Sequence, residues 1–327
     1  MQPSAVLNFT DPYPYQTALR AAQLEFLPTE KGEFRAELTQ VTFDQLWMQR
    51  GDESLPRIFH GAVSPLRVAI GFLTDSDQPG YRHCGMDVSP GEIIFDDHNE
   101  MHRQTMVPCR WGSLSLTPEG LCAAGHAIAG RPVIAPSVTT VVRPAHALMS
   151  RLLALHETAG RLAKTAPDLL ANSEVARALE SKLVHAMIAC LTENSRAERS
   201  SGTQRHALVM ERLEGFLATH MSVPVYVAEI CMAINVSERT LRACCQEHLG
   251  MGPMKYLWLR RMHLARRALR QAAPGTSTVT RVAADHGFWE FGRFSVEYRA
   301  LFGESPLATL RHPQMQDNIV SAPAKFA

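Results

Sequence analysis

Arg239 and Arg242 stand three residues apart, beside Ser237 and Glu238, in a chain of 327 residues. A three-residue step puts two side chains on one face of a helix. A guanidinium so presented can grip guanine O6 and N7 in the DNA major groove through two hydrogen bonds. Leu241, Cys245 and Leu249 recur at four-residue steps and predict the buried stripe of the same helix, from Ser237 to Leu249. That leaves Glu238, Arg239, Arg242 and Gln246 facing outward. The alternative is that each arginine touches only phosphate or solvent.

Other residue types raise other chemistries, and their spacing weighs against them. His83, His98 and His102 with Glu100 suggest a metal centre, yet a His-x-His followed by Glu at metal-binding spacing is missing. Seven cysteines include no C-x-x-C pair, which argues against a zinc ribbon or a disulfide framework and for a reducing compartment. In the pair Cys244-Cys245, Cys245 is expected in the core and Cys244 partly exposed. No G-x-G-x-x-G or P-loop offers a phosphate cradle. The expectation is a protein without catalytic residues, metal or cofactor.

The outward arginines belong to a pattern that occurs twice. One copy runs Val227-Ala228-Glu229-Ile230-Cys231, Asn235-Val236-Ser237, Leu241, Cys245, Leu249-Gly250 and Pro253. The other runs Arg281-Val282-Ala283-Ala284, Gly287-Phe288, Phe294, Tyr298, Phe302-Gly303 and Pro306. Each reads as helix, tight turn, helix, glycine stop, the form of a helix-turn-helix. Asn235 and Gly287 fall at the turn, where a left-handed backbone is needed. In the second copy Glu290, Phe291, Gly292, Arg293 and Val296 are the outward candidates, an unusually apolar surface that either meets thymine methyls or mainly positions the unit. Between the copies a long helix from Pro253 to about Gln271 carries Arg260, Arg261, Arg266, Arg267 and Arg270 as expected exposed residues. Upstream, a helix from Arg205 to His220 turns Val209, Leu213, Phe216 and Leu217 inward, and Pro224 suits the start of the next.

The remainder must position these units. Up to about residue 142, short β-prone runs (Phe34 to Phe43, Val68 to Leu73, Ile93 to Phe95, Trp111 to Leu116) are separated by Gly, Pro, Asp and Ser, and predict a small barrel or sandwich. Phe43, Trp47, Phe72, Phe95 and Trp111 either line a ligand pocket in it or fill its core. Beyond Pro144 the period becomes helical, with Leu148, Leu152 and Leu155, then Val175, Leu179, Leu183 and Met187 on a helix from Ser173 to about Leu191. These leucines pack on the barrel, form a dimer seam, or do both on different faces. Residues 194 to 204 are polar and aperiodic, as a linker would be. Residues 205 to 311 carry 14 Lys+Arg against 9 Asp+Glu, so a net +1 chain divides into a basic end and an acidic remainder. A basic end suits phosphate. Nothing reads as a secretory leader or an 18-residue apolar span, so a cytoplasmic location is expected.

The runs Ser237-Glu238-Arg239-Thr240-Leu241-Arg242, Gly250-Met251-Gly252-Pro253, Arg261-Met262-His263-Leu264-Ala265-Arg266, Gly287-Phe288, Gly292-Arg293-Phe294-Ser295 and Phe302-Gly303-Glu304-Ser305-Pro306 resemble the AraC/XylS family of transcriptional regulators in order and spacing. The resemblance covers roughly residues 205 to 312. It implies an all-α seven-helix domain with two helix-turn-helix units joined by a long helix, after a cupin-like N-terminal effector domain; the fold class is therefore α+β. The implied division is 1–193 for effector sensing and dimerisation, 194–204 as linker, 205–312 for DNA binding and 313–327 as tail. Implied contact positions are Arg239, Arg242 and Ala243 in the first unit and Phe291, Gly292 and Val296 in the second, where Val296 replaces a residue that is commonly basic. Double-stranded DNA, RNA polymerase, a small-molecule effector and a second copy of the chain are the implied partners, with activation the implied mode. Rival readings are a DNA-binding protein without effector and a metal-dependent cupin enzyme fused to a DNA-binding domain.

Overall fold

The structure is a computed structural model that describes residues 4–20, 22–62, 64, 66–96, 100–197, 201–220, 224–272 and 275–311. His98, Pro274 and the tail after residue 312 lie outside these.

The N-terminal half contains β1 (Ser4–Phe9), α1 (Pro12–Ala18), β2 (Ala22–Pro28), β3 (Ala36–Thr42), β4 (Trp47–Glu53), β5 (Arg57–Ala62), β6 (Val68–Leu73), β7 (Tyr81–His83), β8 (Met86–Val88), β9 (Ile93–Phe95), β10 (Glu100–Gln104), β11 (Cys109–Leu116), α2 (Pro118–Ala129) and β12 (Thr140–Pro144). The helices α3 (His146–Thr165), α4 (Pro167–Ala171) and α5 (Ser173–Thr192) follow, then β13 (Asn194–Ala197). The strands form two antiparallel sheets, ordered β1-β3-β4-β11-β6-β9-β12-β13 and β2-β5-β10-β7-β8. α2 is a helix the strand-rich reading of residues 1 to 142 missed. Its signals were local: Thr117 Oγ1 accepts from Gly120 N–H, Pro118 opens the helix, and Gly130 ends it in the left-handed conformation.

Alternation along the strands decides what each sheet faces. On the larger sheet Phe72, Phe95 and Leu114 share a buried cluster with Leu152 of α3 and Leu183, Met187 and Leu191 of α5. The helical leucines therefore pack on the sheet, as one of the two sequence readings held. On the smaller sheet Phe26, Phe59 and Met101 face the interior with Tyr15 and Phe34. Their neighbours Leu27 and Ile58 face the other way, into the core of the C-terminal helices.

Those helices are α6 (Ser201–Thr219), α7 (Val227–Ile234), α8 (Glu238–Leu249), α9 (Pro253–Gln271), α10 (Val279–Asp285), α11 (Phe291–Phe302) and α12 (Pro306–Arg311). Three boundaries differ from expectation. α6 opens at Ser201, four residues before the expected Arg205 and inside the supposed linker. Residues 194–197 of the supposed linker pair with β12 as a strand, because the edge of β12 offers open backbone partners. Pro224 does not open α7; Tyr226 precedes the helix, and its N–H donates to Glu229 Oε2 at 3.0 Å.

Candidate nucleic-acid interface

The two copies of the sequence pattern fold into the same backbone device. Asn235 and Gly287 both sit at left-handed φ, 54° and 75°. The next N–H in each case reaches back five residues: Val236 N–H donates to Cys231 O at 3.0 Å, and Phe288 N–H to Ala283 O at 2.9 Å. These bonds satisfy carbonyls that the ending helix leaves open. Gly287 carries the tighter constraint, since a Cβ there would lie 2.6 Å from Pro224 Cβ. After each turn comes a twelve-residue helix ended by a left-handed glycine, Gly250 or Gly303, and then a helix-opening proline.

On α8, Ser237 Oγ caps the helix by accepting from Thr240 N–H at 3.1 Å. Leu241, Cys245 and Leu249 are buried, as their spacing required. Glu238, Arg239, Arg242, Ala243 and Gln246 are exposed together with Ser237. Arg242 is held along the helix by Glu238 at 3.2 Å, an exposed pair that a phosphate or base can replace cheaply. Cys244 is fully buried, contrary to expectation, because α8 turns this face into the core as well. Burial raises both the Cys244 and Cys245 thiols, to about 11 and about 12, which keeps them protonated and unreactive at neutral pH.

On α11, Glu290, Phe291, Gly292, Arg293 and Val296 are exposed, and Trp289 beside them is 69% exposed. Arg293 pairs with Glu297 at 2.7 Å, and Glu297 also accepts from Trp258 Nε1 of α9 at 2.8 Å. Phe294 and Tyr298 anchor the helix, the latter through a hydrogen bond to Thr309 at 2.8 Å. The connector α9 thus touches both units. Its arginines, however, are not the exposed residues the sequence suggested. Arg260 is 5% exposed and grips Glu25 of β2 through Nε, at 3.0 and 2.9 Å, and Nη2, at 2.6 Å. Arg266 reaches Asp11 at 3.2 Å, Arg270 pairs with the same carboxylate, and Arg267 donates to the Tyr13 hydroxyl at 2.8 Å. Acidic residues of the N-terminal half draw these cations into a seam between the two halves.

Glu214 of α6 lies at the centre of that seam, with His60 and His102 of the smaller sheet beside it. Tyr256 of α9 donates to its Oε1 at 2.9 Å. Burial alone would raise this carboxyl; the charge of His60, the hydrogen bond to His102 and Arg260 outweigh it and hold it at about 2. No sequence spacing announces this cluster, since its members come from β5, β10 and α6.

The proposed pocket aromatics do not meet in one place. Phe43, Phe72 and Phe95 lie in the core shared with α3 and α5. Trp47 is covered by the guanidinium groups of Arg20 and Arg67, 4.9 and 4.1 Å from its ring. Trp111 points into the N-terminal unit, where Nε1 donates to Glu53 Oε1 at 2.7 Å. A small cavity there is bordered by Trp111 and Phe72 with Arg57, Tyr81, Arg103 and Cys109. His83 bonds Arg103 Nε at 3.1 Å and pairs with Asp96 at 2.7 Å, on the opposite side of the smaller sheet from His102. The two histidines therefore do not form the metal centre considered from sequence.

Tandem helix-turn-helix units flanking a connecting helix define a class of DNA-binding scaffold. A family model described as a helix-turn-helix domain matches residues 230–312. Over 106 residues the chain is 30% identical to XylDLEGF operon transcriptional activator 2 of Pseudomonas putida, covering 32% of this chain and 68% of that protein. It is 40% identical over 96 residues to the probable thc operon regulatory protein of Rhodococcus erythropolis, where the match spans only 29% of either chain. The AraC-like transcriptional activator CuxR aligns over 85% of this chain and 99% of its own, with 18% identity and a TM-score of 0.39. The chain belongs to the AraC/XylS family of transcriptional regulators.

Proposed function

We propose that the chain binds promoter DNA through α8 and α11 and regulates transcription in response to a small molecule held by its N-terminal half. The observation that carries this reading is the duplicated unit: two turns of identical hydrogen bonding, each followed by a helix whose early residues are exposed. Ser237, Glu238, Arg239, Arg242, Ala243 and Gln246 form the reading surface of the first unit. Glu290, Phe291, Gly292, Arg293 and Val296 form that of the second, where the exposed apolar groups suit thymine methyls and sugar edges more than polar readout. The functional division is 1–193 for sensing and 205–312 for DNA. The effector would be held by the N-terminal half, whose cavity beside Trp111 and Phe72 is of water size and would have to widen to admit it. The working form is a cytoplasmic homodimer that activates transcription by touching RNA polymerase. No described helix is long and apolar enough to cross a membrane.

Footprinting of the purified protein on the DNA flanking its own gene tests the reading. Protection should extend over two successive major grooves, and a candidate effector should change its strength. Protein that protects no segment, with and without effector, overturns it.

A further inference from the structure

Among the described residues, His60, His102 and Glu214 are the group of three ligand-type side chains whose donor atoms converge, all within 4.8 Å of one another. The convergence is built by the fold. β5 and β10 pair in the register that sets His60 directly opposite His102, and the two rings stack at 4.8 Å with 24° between their planes. Both face away from the interior, toward the helices, and all three residues are buried. Glu214 comes down from α6 with Oε1 3.0 Å from His102 Nε2 and Oε2 3.6 Å from His60 Nδ1.

Ligand atoms held about 2.1 Å from a tetrahedral zinc ion stand about 3.4 Å apart; the two His–Glu separations, 3.0 and 3.6 Å to the two carboxylate oxygens, lie near that, and the remaining one is within 4.8 Å. Two imidazoles and one carboxylate form a borderline donor set, which favours zinc and its transition-metal neighbours over magnesium or calcium. Tyr256, hydrogen-bonded to Glu214 Oε1 at 2.9 Å, supplies the outer support that such ligands require. We propose that His60, His102 and Glu214 bind a divalent transition-metal ion, zinc in kind, that fastens α6 to β5 and β10. On binding, any protons carried by the ligating ring nitrogens leave to solvent. The site lies on the outer face of the smaller sheet, not in its interior. It also lies one ring from the first DNA-facing helix, since His248 of α8 sits edge-on to His102 at 6.0 Å. The inference stands apart from the DNA-binding reading, and either can fail alone.

The test uses the full-length protein, stripped with chelator and titrated with Zn2+ by calorimetry and with Co2+ by visible absorption. The expected result is one ion per chain, tetrahedral Co2+ bands and a raised melting midpoint. His60→Asn and Glu214→Gln, which keep side-chain size, should each weaken binding by more than about tenfold, while His185→Gln leaves it unchanged. Hydrogen exchange on the wild type gives a second readout that does not depend on how the variants fold: Zn2+ should slow exchange in α6, β5 and β10. Absence of uptake by the wild type, equal uptake by both ligand variants, or unaltered exchange in those three elements overturns the proposal.

Discussion

Arg239 is exposed on the first turn of α8, where its side chain is free to reach a base edge. Arg239→Ala should weaken binding to the cognate site by about 1–3 kcal/mol and relax choice at one base pair, as measured by competition against a panel of single-base variants. Equal loss across the panel would assign Arg239 to phosphate. A different residue sets an acid limit. His156 is buried on α3, with Nε2 3.1 Å from Gln49 O, and its imidazole is lowered to about 3, first by burial and then by the charge of Arg50. In the unfolded chain it titrates near 6.5. The folded state binds this proton less well, so its contribution is intact above pH 6.5 and is lost as pH falls toward 3, by at most about 1.4 kcal/mol per pH unit. His156→Gln removes that component. Denaturant titrations from pH 7.5 to pH 5 should show the gap between wild type and variant narrowing with acidification, and a constant gap would contradict the assignment.

At the scale of elements, the turns of the two units differ in how much they tolerate. Gly287 combines a φ of 75° with Pro224 packed against the space a side chain would fill. Gly287→Ala should cost about 1–3 kcal/mol in thermal or chemical melts. Asn235→Gly, at a φ of 54°, should cost less than about 0.5 kcal/mol, since asparagine already pays part of the left-handed strain. If both substitutions cost the same, the crowding at Gly287 is not felt. These helices were legible in the sequence because their signals are local: caps, glycine stops and a four-residue apolar step. The bounds of α5, α8 and α9 follow those signals closely. The strands were legible where β-prone runs stood between turn residues, as in β3, β6, β9 and β11. β5, with Arg57 and His60, carries polar side chains to partners on both faces, and no pattern within it reveals those partners.

At the scale of the whole molecule, the basic charge of residues 205–311 serves two purposes. Arg260, Arg266 and Arg270 spend theirs on Glu25 and Asp11, and the acidic character of the N-terminal half is in part the matching side of this seam. From the sequence the basic end only suited phosphate, because the partners of these arginines lie more than 200 residues away. Arg260→Ala should lower global stability by about 3–5 kcal/mol, because it strands the Glu25 carboxylate in the seam. Arg260→Met, tested beside it in urea titrations, should cost no less if the loss lies in the stranded charge and clearly less if packing dominates. A fragment of residues 201–312 should bind the same operator more weakly than the full chain. It should also be less stable than its own core suggests, since Leu27 and Ile58 of the sheet complete that core. Stability equal to that of the full chain in calorimetry would show that the two halves fold independently.

The base of α8 touches the smaller sheet, whereas its first turn packs on the C-terminal core through Leu241. Arg82 of β7 donates to the Gln246 carbonyl at 3.3 Å, and Gly85 in the β7–β8 turn sits so near Glu247 that a Cβ there would lie 2.8 Å from its carboxylate. Arg239 stands seven residues from Gln246 on the same helix, about 10 Å away. A ten-degree rotation of the helical core about that contact would carry Arg239 through about 2 Å, more than half of a base-pair step. A tilt of the helical half against the smaller sheet would thus reach the guanidinium end at a scale that DNA can register.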